Sequence, residues 1–237
     1  MATGARPSTT FAPAGQASAS TLTQLVLAQD VDGVRALLAA TGSDRRFLSK
    51  RDGDGRSALH WAASRASASI VAALVAADIV RDVGLNVGDD AGWTPLMLAS
   101  AAGKLESIDL LLAAGADANA RTNNRQTALM YHKGNAEVVK RLAPKTRNVD
   151  AQDKYGLTAL HRAASAGSDV VCVRALLAAG ASTDVIDKEG NTPLHLANEC
   201  GHDPLAALLL AEGGADAAAK NKEGKRADEV GPHPLLR

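Results

Sequence analysis

Cysteine is nearly absent. The 237 residues include two, too few for a disulfide framework. Aromatic residues are also scarce, at 3%. Hydrophobic residues still reach 46%, chiefly through alanine. That composition suits closely packed helices rather than a β-sandwich, which draws on Val, Ile, Thr and Tyr. Neither charge sign is in excess, since 26 Lys plus Arg balance 26 Asp plus Glu. A balanced chain has no global field to hold a polyanion, so no nucleic-acid partner is expected. No apolar run approaches the ~20 residues that span a bilayer, and no basic-then-apolar leader opens the chain, so no membrane partner is expected either. The reading is a soluble protein of a reducing compartment. At roughly 100–200 residues per domain it holds one large domain or two small ones.

Catalytic signatures are missing too. There is no G-x-S-x-G, Walker A, H-E-x-x-H or dinucleotide pattern. Asp89 and Asp90 form a carboxylate pair, but on an exposed loop with nothing to raise one pKa selectively. Cys172, Cys200, His195 and His202 match no zinc spacing. No enzyme activity, cofactor or metal is expected.

What is present is repetition. Residues 1–20 form an Ala/Ser/Thr/Pro-rich tail, expected to be disordered because it cannot bury enough apolar surface to offset ordering. An organelle transit peptide is the weaker alternative. Beyond it a word recurs: Ser57-Ala58-Leu59-His60, Thr94-Pro95-Leu96-Met97, Thr127-Ala128-Leu129-Met130, Thr158-Ala159-Leu160-His161, Thr192-Pro193-Leu194-His195 and a degenerate Arg226-Ala227-Asp228-Glu229. The spacings are 37, 33, 31, 34 and 34 residues. Their mean is close to 34, and period and word match the ankyrin repeat. Counting back one period reaches Leu22, Leu25, Val26, Val34, Leu37 and Leu38, a degenerate first unit. The fold class is therefore all-α: an ankyrin-repeat solenoid of seven repeats, each a helix pair plus a β-hairpin loop, forming a curved slab with a concave binding face. The repeat domain covers 21–231, with units near 21–52, 53–89, 90–122, 123–153, 154–187, 188–221 and 222–231, and 232–237 is a C-terminal tail.

Each repeat position has a physical role. Thr94, Thr158 and Thr192 are placed to cap the first helix, and Pro95 and Pro193 sit where a missing N–H is harmless. His60, His161 and His195 read as hydrogen-bonding ties between a hairpin and the next unit. Gly103, Gly134, Gly167 and Gly201 end the first helices. Three departures stand out. The 37-residue interval carries about four extra residues near Asp78 to Leu85. The 31-residue interval has lost two between Met130 and Gly134, which shortens that first helix. Arg125 replaces the glycine of the hairpin turn, so that finger is expected to be distorted.

Hairpin tips and first helices line the concave side of such a stack, where partners bind. Here the hairpins of that side carry Asp52, Asp54 and Arg56, then Asp89, Asp90 and Trp93, Arg121 and Arg125, Asp153, Lys154 and Tyr155, Asp187, Lys188 and Glu189, and Lys222 and Glu223, with Trp61 near the same face. Trp, Tyr and Arg dominate interface energies, which favours Trp61, Trp93 and Arg56 as anchors.

The particular words carry a resemblance. Arg56-Ser57-Ala58-Leu59-His60-Trp61-Ala62 and Asp89-Asp90-Ala91-Gly92-Trp93-Thr94-Pro95-Leu96 resemble the second and third repeats of the gankyrin family. Thr158 to Ala164, Glu189 to Ala197 and Asn221 to Lys225 also match, in register and repeat number, over about residues 21–231. The resemblance implies a non-enzymatic assembly chaperone of the proteasome regulatory particle. Its partner would be the C-terminal domain of a triple-A ATPase subunit, the third of the ring, held electrostatically in the concave face. Arg56 and Lys133 then match the family's basic contacts. Asp54, Asp89, Asp90, Trp61 and Trp93 become rim and hot-spot contacts, followed by Asp153, Tyr155, Arg162, Asp187 and Glu189. A monomer in cytoplasm and nucleus is implied. The family's L-x-C-x-E word is absent, replaced by Leu196-Ala197-Asn198-Glu199-Cys200, so retinoblastoma-protein binding is not implied. The end at Pro232-His233-Pro234 also departs from the family. The alternative is a different ankyrin adaptor, such as a cyclin-dependent kinase regulator or a signalling scaffold.

Overall fold

A computed structural model describes residues 19–41, 49–77 and 84–231. Most of the expected tail, the extra residues 78–83 and the C-terminal tail lie outside the described residues. Helices come in pairs: α1 (Ala19–Leu27) with α2 (Val31–Thr41), α3 (Ala58–Arg65) with α4 (Ala68–Ala76), and α5 (Pro95–Ala101) with α6 (Leu105–Ala113). In the fourth unit a single 3-10 turn (Ala128–Tyr131) replaces the first helix and is followed by α7 (Ala136–Leu142). Then come α8 (Ala159–Ser165) with α9 (Val170–Ala178) and α10 (Pro193–Glu199) with α11 (Asp203–Ala211). A last 3-10 turn (Ala227–Glu229) closes a seventh, partial unit.

The repeat word forms the inner layer. Leu59, Leu96, Leu129, Leu160 and Leu194 are all buried, as are Ile70, Ile108, Val138, Val173 and Leu209 of the second helices. Full burial of one such side chain contributes roughly 1.5–3 kcal/mol. In a solenoid these contributions act between neighbouring units. Small residues such as Ala62, Ala63, Ala163 and Ala164, fully or almost fully buried, let first helices approach closely.

The conserved geometry of each finger comes from a carboxylate clamp. Asp89 Oδ1 accepts from the N–H groups of Ala91 and Trp93 at 3.0 and 2.9 Å. Asp52, Asp153, Asp187 and Asn221 repeat the pattern. Fingers then join their successors through the main chain: Asp90 to Asp54 O, Asn123 to Ala91 O, Lys154 to Asn124 O, Lys188 to Tyr155 O and Lys222 to Glu189 O, each at 2.9 to 3.1 Å. The fingers are turns rather than ladders. Among the described residues the one β-bridge is Lys220 to Arg226.

The fourth finger corrects an expectation. It is not distorted by Arg125. Arg125 takes φ +64°, beside +80° for Gly92 and +84° for Gly156. Its N–H reaches Thr122 O at 2.7 Å, and Thr122 N–H reaches Gln126 O at 2.9 Å. Thr122 Oγ1 takes the role of the missing carboxylate, accepting from Gln126 N–H at 3.1 Å. Hydrogen bonds on both sides of the turn hold the arginine in a backbone region that its Cβ disfavours.

Candidate interaction face

The histidines of the word organise the face from behind. The main-chain N–H of Thr158 points at His161 Nδ1, 3.3 Å away. A main-chain N–H can only donate, so Nδ1 accepts and Nε2 carries the proton. Nε2 then donates to Asn191 O of the next finger at 3.1 Å. His60 reaches Trp93 O at 3.0 Å and His195 reaches Lys225 O at 3.2 Å in the same way. Ser100, His132 and Asn198 add a second set of ties, to the carbonyls of Ala128, Ala159 and Ala227. His132, which sequence reasoning missed, also lies 3.3 Å from the buried Cys172 sulfur. Burial pushes that thiol up to about 11.

In front of this framework, aromatic and guanidinium groups run across four units. Trp61 is half-buried, with Arg56 and Arg65 over its ring at 5.1 and 5.0 Å. Its indole N–H donates to Asp52 Oδ2 at 2.8 Å. Burial alone would raise the Asp52 pKa. The Arg56 main-chain N–H and the Trp61 indole outweigh it and hold the carboxyl below its ordinary value. Arg56 bonds Asp89 Oδ2 of the next finger at 3.1 Å. Trp93 stacks on Tyr131, ring centroids 4.1 Å apart at 35°, and the Tyr131 hydroxyl bonds Gln126. Arg162 follows, donating to Asp153 Oδ2 at 2.7 Å. Its Nε is buried with no partner among the described residues, an unsatisfied donor just behind this face.

Trp61, Tyr131 and Arg162 occupy one repeat position, four residues after Ser57, Thr127 and Thr158. Tyr131 is the anchor that word-matching overlooked, and lining up the repeats by position exposes it. Arg65 was overlooked too. Lys133 fills the matching place two units on, directly before Gly134, and is exposed, its side chain without a partner among the described residues.

The acidic candidates divide into two groups. Asp89, Asp153 and Asp187 are buried, 3–7% exposed, with one oxygen clamping the finger. Their carboxylates belong to the framework, and burial rather than spacing decides that. Asp54, Asp90 and Glu189 stand exposed at finger tips. Tyr155 is also exposed, with Lys154 over its ring at 4.9 Å.

A rigid stack of short units presenting one side-chain stripe is a protein-interaction scaffold. The chain belongs to the ankyrin-repeat family. It matches the family described as "Ankyrin repeats (3 copies)" over residues 22–122, 101–172 and 126–221. The ankyrin repeat domain of Bcl-3 superposes with a TM-score of 0.75 at 26% identity, covering 90% of this chain and 94% of that one. E3 ubiquitin-protein ligase KEG of Arabidopsis thaliana is 32% identical over 158 residues, 62% of this chain and 10% of the ligase. The probable 26S proteasome regulatory subunit p28 of Saccharomyces cerevisiae is 34% identical over 126 residues, 52% of this chain and 55% of that subunit. The 26S proteasome non-ATPase regulatory subunit 10 of Dictyostelium discoideum is 39% identical over 67 residues, 28% of each protein. The chain thus spans a tenth of the plant ligase and about half of the yeast subunit. No described helix is long and apolar enough to cross a membrane.

Proposed function

We propose that this protein is a non-enzymatic assembly chaperone of the proteasome regulatory particle. It holds the C-terminal domain of one triple-A ATPase subunit, the third of the ring, against its concave face. The observation that carries the reading is the stripe from Arg65 and Trp61 through Arg56, Trp93 and Tyr131 to Arg162. Half-buried aromatics flanked by guanidiniums are the groups that dominate interface energies. Held by ties to the fingers, they lose little freedom on binding. The likeness to two proteasome subunits directs the reading to that partner.

Calorimetric titration against the isolated C-terminal domains of all six ATPase subunits, at two salt concentrations, tests it. The expected result is binding to one domain, weakened by salt and weakened about tenfold or more by Trp61→Ala. Silence with all six domains sinks the proteasome reading. A second reading, an adaptor for another partner, is favoured by the match to the plant ligase, which covers more of this chain than the match to the yeast subunit does. The same silence, followed by capture of a different specific partner lost in Trp61→Ala, would establish it.

A further inference from the structure

The fourth finger uses an arginine where the fold is served more cheaply by glycine. Arg125 sits at φ +64°, a region strained for any side chain. Its guanidinium makes no hydrogen bond or ion pair with the described chain, so the turn's main-chain bonds hold the strain while the side chain itself contributes nothing among the described residues. Strain of this kind points to a function outside the local fold.

Arg125 does not stand alone. Lys154 and Lys188 follow on the next two fingers, each directly after its clamp aspartate. The Lys154 ammonium lies only over the Tyr155 ring, 4.9 Å from its centroid. The Lys188 ammonium has no partner among the described residues. The three cations line a shallow pocket of about 440 Å³ together with Ile186, which is 52% exposed. Asp153 and Asp187 also line it. Asp153 is engaged by the N–H groups of Tyr155 and Leu157 and by Arg162, and Asp187 by those of Glu189 and Asn191. No aromatic or guanidinium group of the concave stripe lines this pocket.

We propose that the pocket is a second docking site, for an extended acidic segment of a protein partner that sets an apolar side chain over Ile186. The main-chain bonds from Lys154 to Asn124 O and from Lys188 to Tyr155 O tie the three fingers that carry the cations side by side. Units packed about 10 Å apart match carboxylates three residues apart in an extended chain, at ~3.3 Å per residue. The segment is therefore one with an acidic residue at every third position.

The test uses the full chain and a fluorescein-labelled Ser/Gly peptide with Glu at every third position and one Leu, followed by anisotropy. The expected result is salt-sensitive binding. It should fall roughly tenfold when Arg125→Gly, Lys154→Gln and Lys188→Gln are combined, and stay unchanged in Trp61→Ala. Equal affinity of the triple variant and the native chain overturns the proposal. So does an equal loss in Trp61→Ala, or tighter binding of oligothymidylate than of the peptide. Arg125→Gly relieves strain and both lysines are exposed, so the triple variant should melt no earlier than the native chain. If it does melt earlier, single Lys154→Gln and Lys188→Gln, each expected to weaken the peptide two- to threefold, carry the same test. In the ATPase-domain titration the triple variant is expected to bind as the native chain does, which keeps this pocket separate from the aromatic–guanidinium stripe; an equal loss in both titrations overturns the second site.

Discussion

His161 Nε2 and the main-chain carbonyl of Asn191 meet at 3.1 Å across the boundary between the fifth and sixth units. The same ring accepts the Thr158 N–H and lies 2.9 Å from the Thr158 hydroxyl. One imidazole therefore caps its own helix and tethers the next finger. His161→Ala leaves the Thr158 N–H and the Asn191 carbonyl unpartnered and opens a cavity. The expected loss is about 2–4 kcal/mol, read from urea unfolding midpoints. A loss under about 0.5 kcal/mol would show that the tether contributes little.

Stability should fall as pH drops from 7.5 to 5.5. Burial holds His60, His132 and His161 below the ordinary histidine pKa, outweighing the hydrogen-bonding carbonyls and, for His60 and His161, the nearby Asp89 and Asp187. With the folded pKa below the unfolded one, the unfolded chain takes up protons first as pH falls. The contribution is thus full above about 6.5 and lost below it. The urea midpoint at pH 7.5 is expected to exceed that at pH 5.5. A flat profile across this range would contradict neutral, buried histidines.

A further acid step comes from Asp153. Burial would raise its pKa, but the Arg162 guanidinium and the N–H groups of Tyr155 and Leu157 bring it below the ordinary carboxylate value. Its stabilisation is present above about pH 3.9 and lost below. Arg162→Ala leaves that carboxylate buried without its cation, at an expected cost of about 3–5 kcal/mol. Thermal unfolding at pH 7 checks this. The acid limb of Arg162→Ala should also begin at higher pH than in the native chain.

Arg125→Gly should stabilise the protein by about 0.5–1 kcal/mol, because glycine adopts φ +64° without Cβ strain. The gain is partly offset by glycine's larger unfolded-state entropy. Differential calorimetry on the two chains measures it. A destabilised variant would mean that the arginine side chain supports the finger.

The repeat count, the pairing of helices, the capping threonines and the role of the histidines were all legible in the sequence, because each depends on residues within one unit or its direct neighbour. The fourth unit was legible only in part. The lost pair of residues predicted a short first helix, and a 3-10 turn is found. The missing glycine pointed to a distorted finger, yet Thr122 and the neighbouring main chain hold Arg125 in the glycine conformation.

Periodicity by itself determined the architecture, since a unit of about 34 residues that cannot bury its apolar face alone must stack. It could not distinguish an aspartate at a finger tip from one turned inward, because both occupy the same few positions of a hairpin. Only the tertiary structure set Asp54 and Asp90 outward and Asp89, Asp153 and Asp187 inside. It also joined Trp93 to Tyr131 and Arg56 to Asp89 across unit boundaries. Those pairings depend on how far each unit advances and turns relative to the last, a quantity that no single repeat contains.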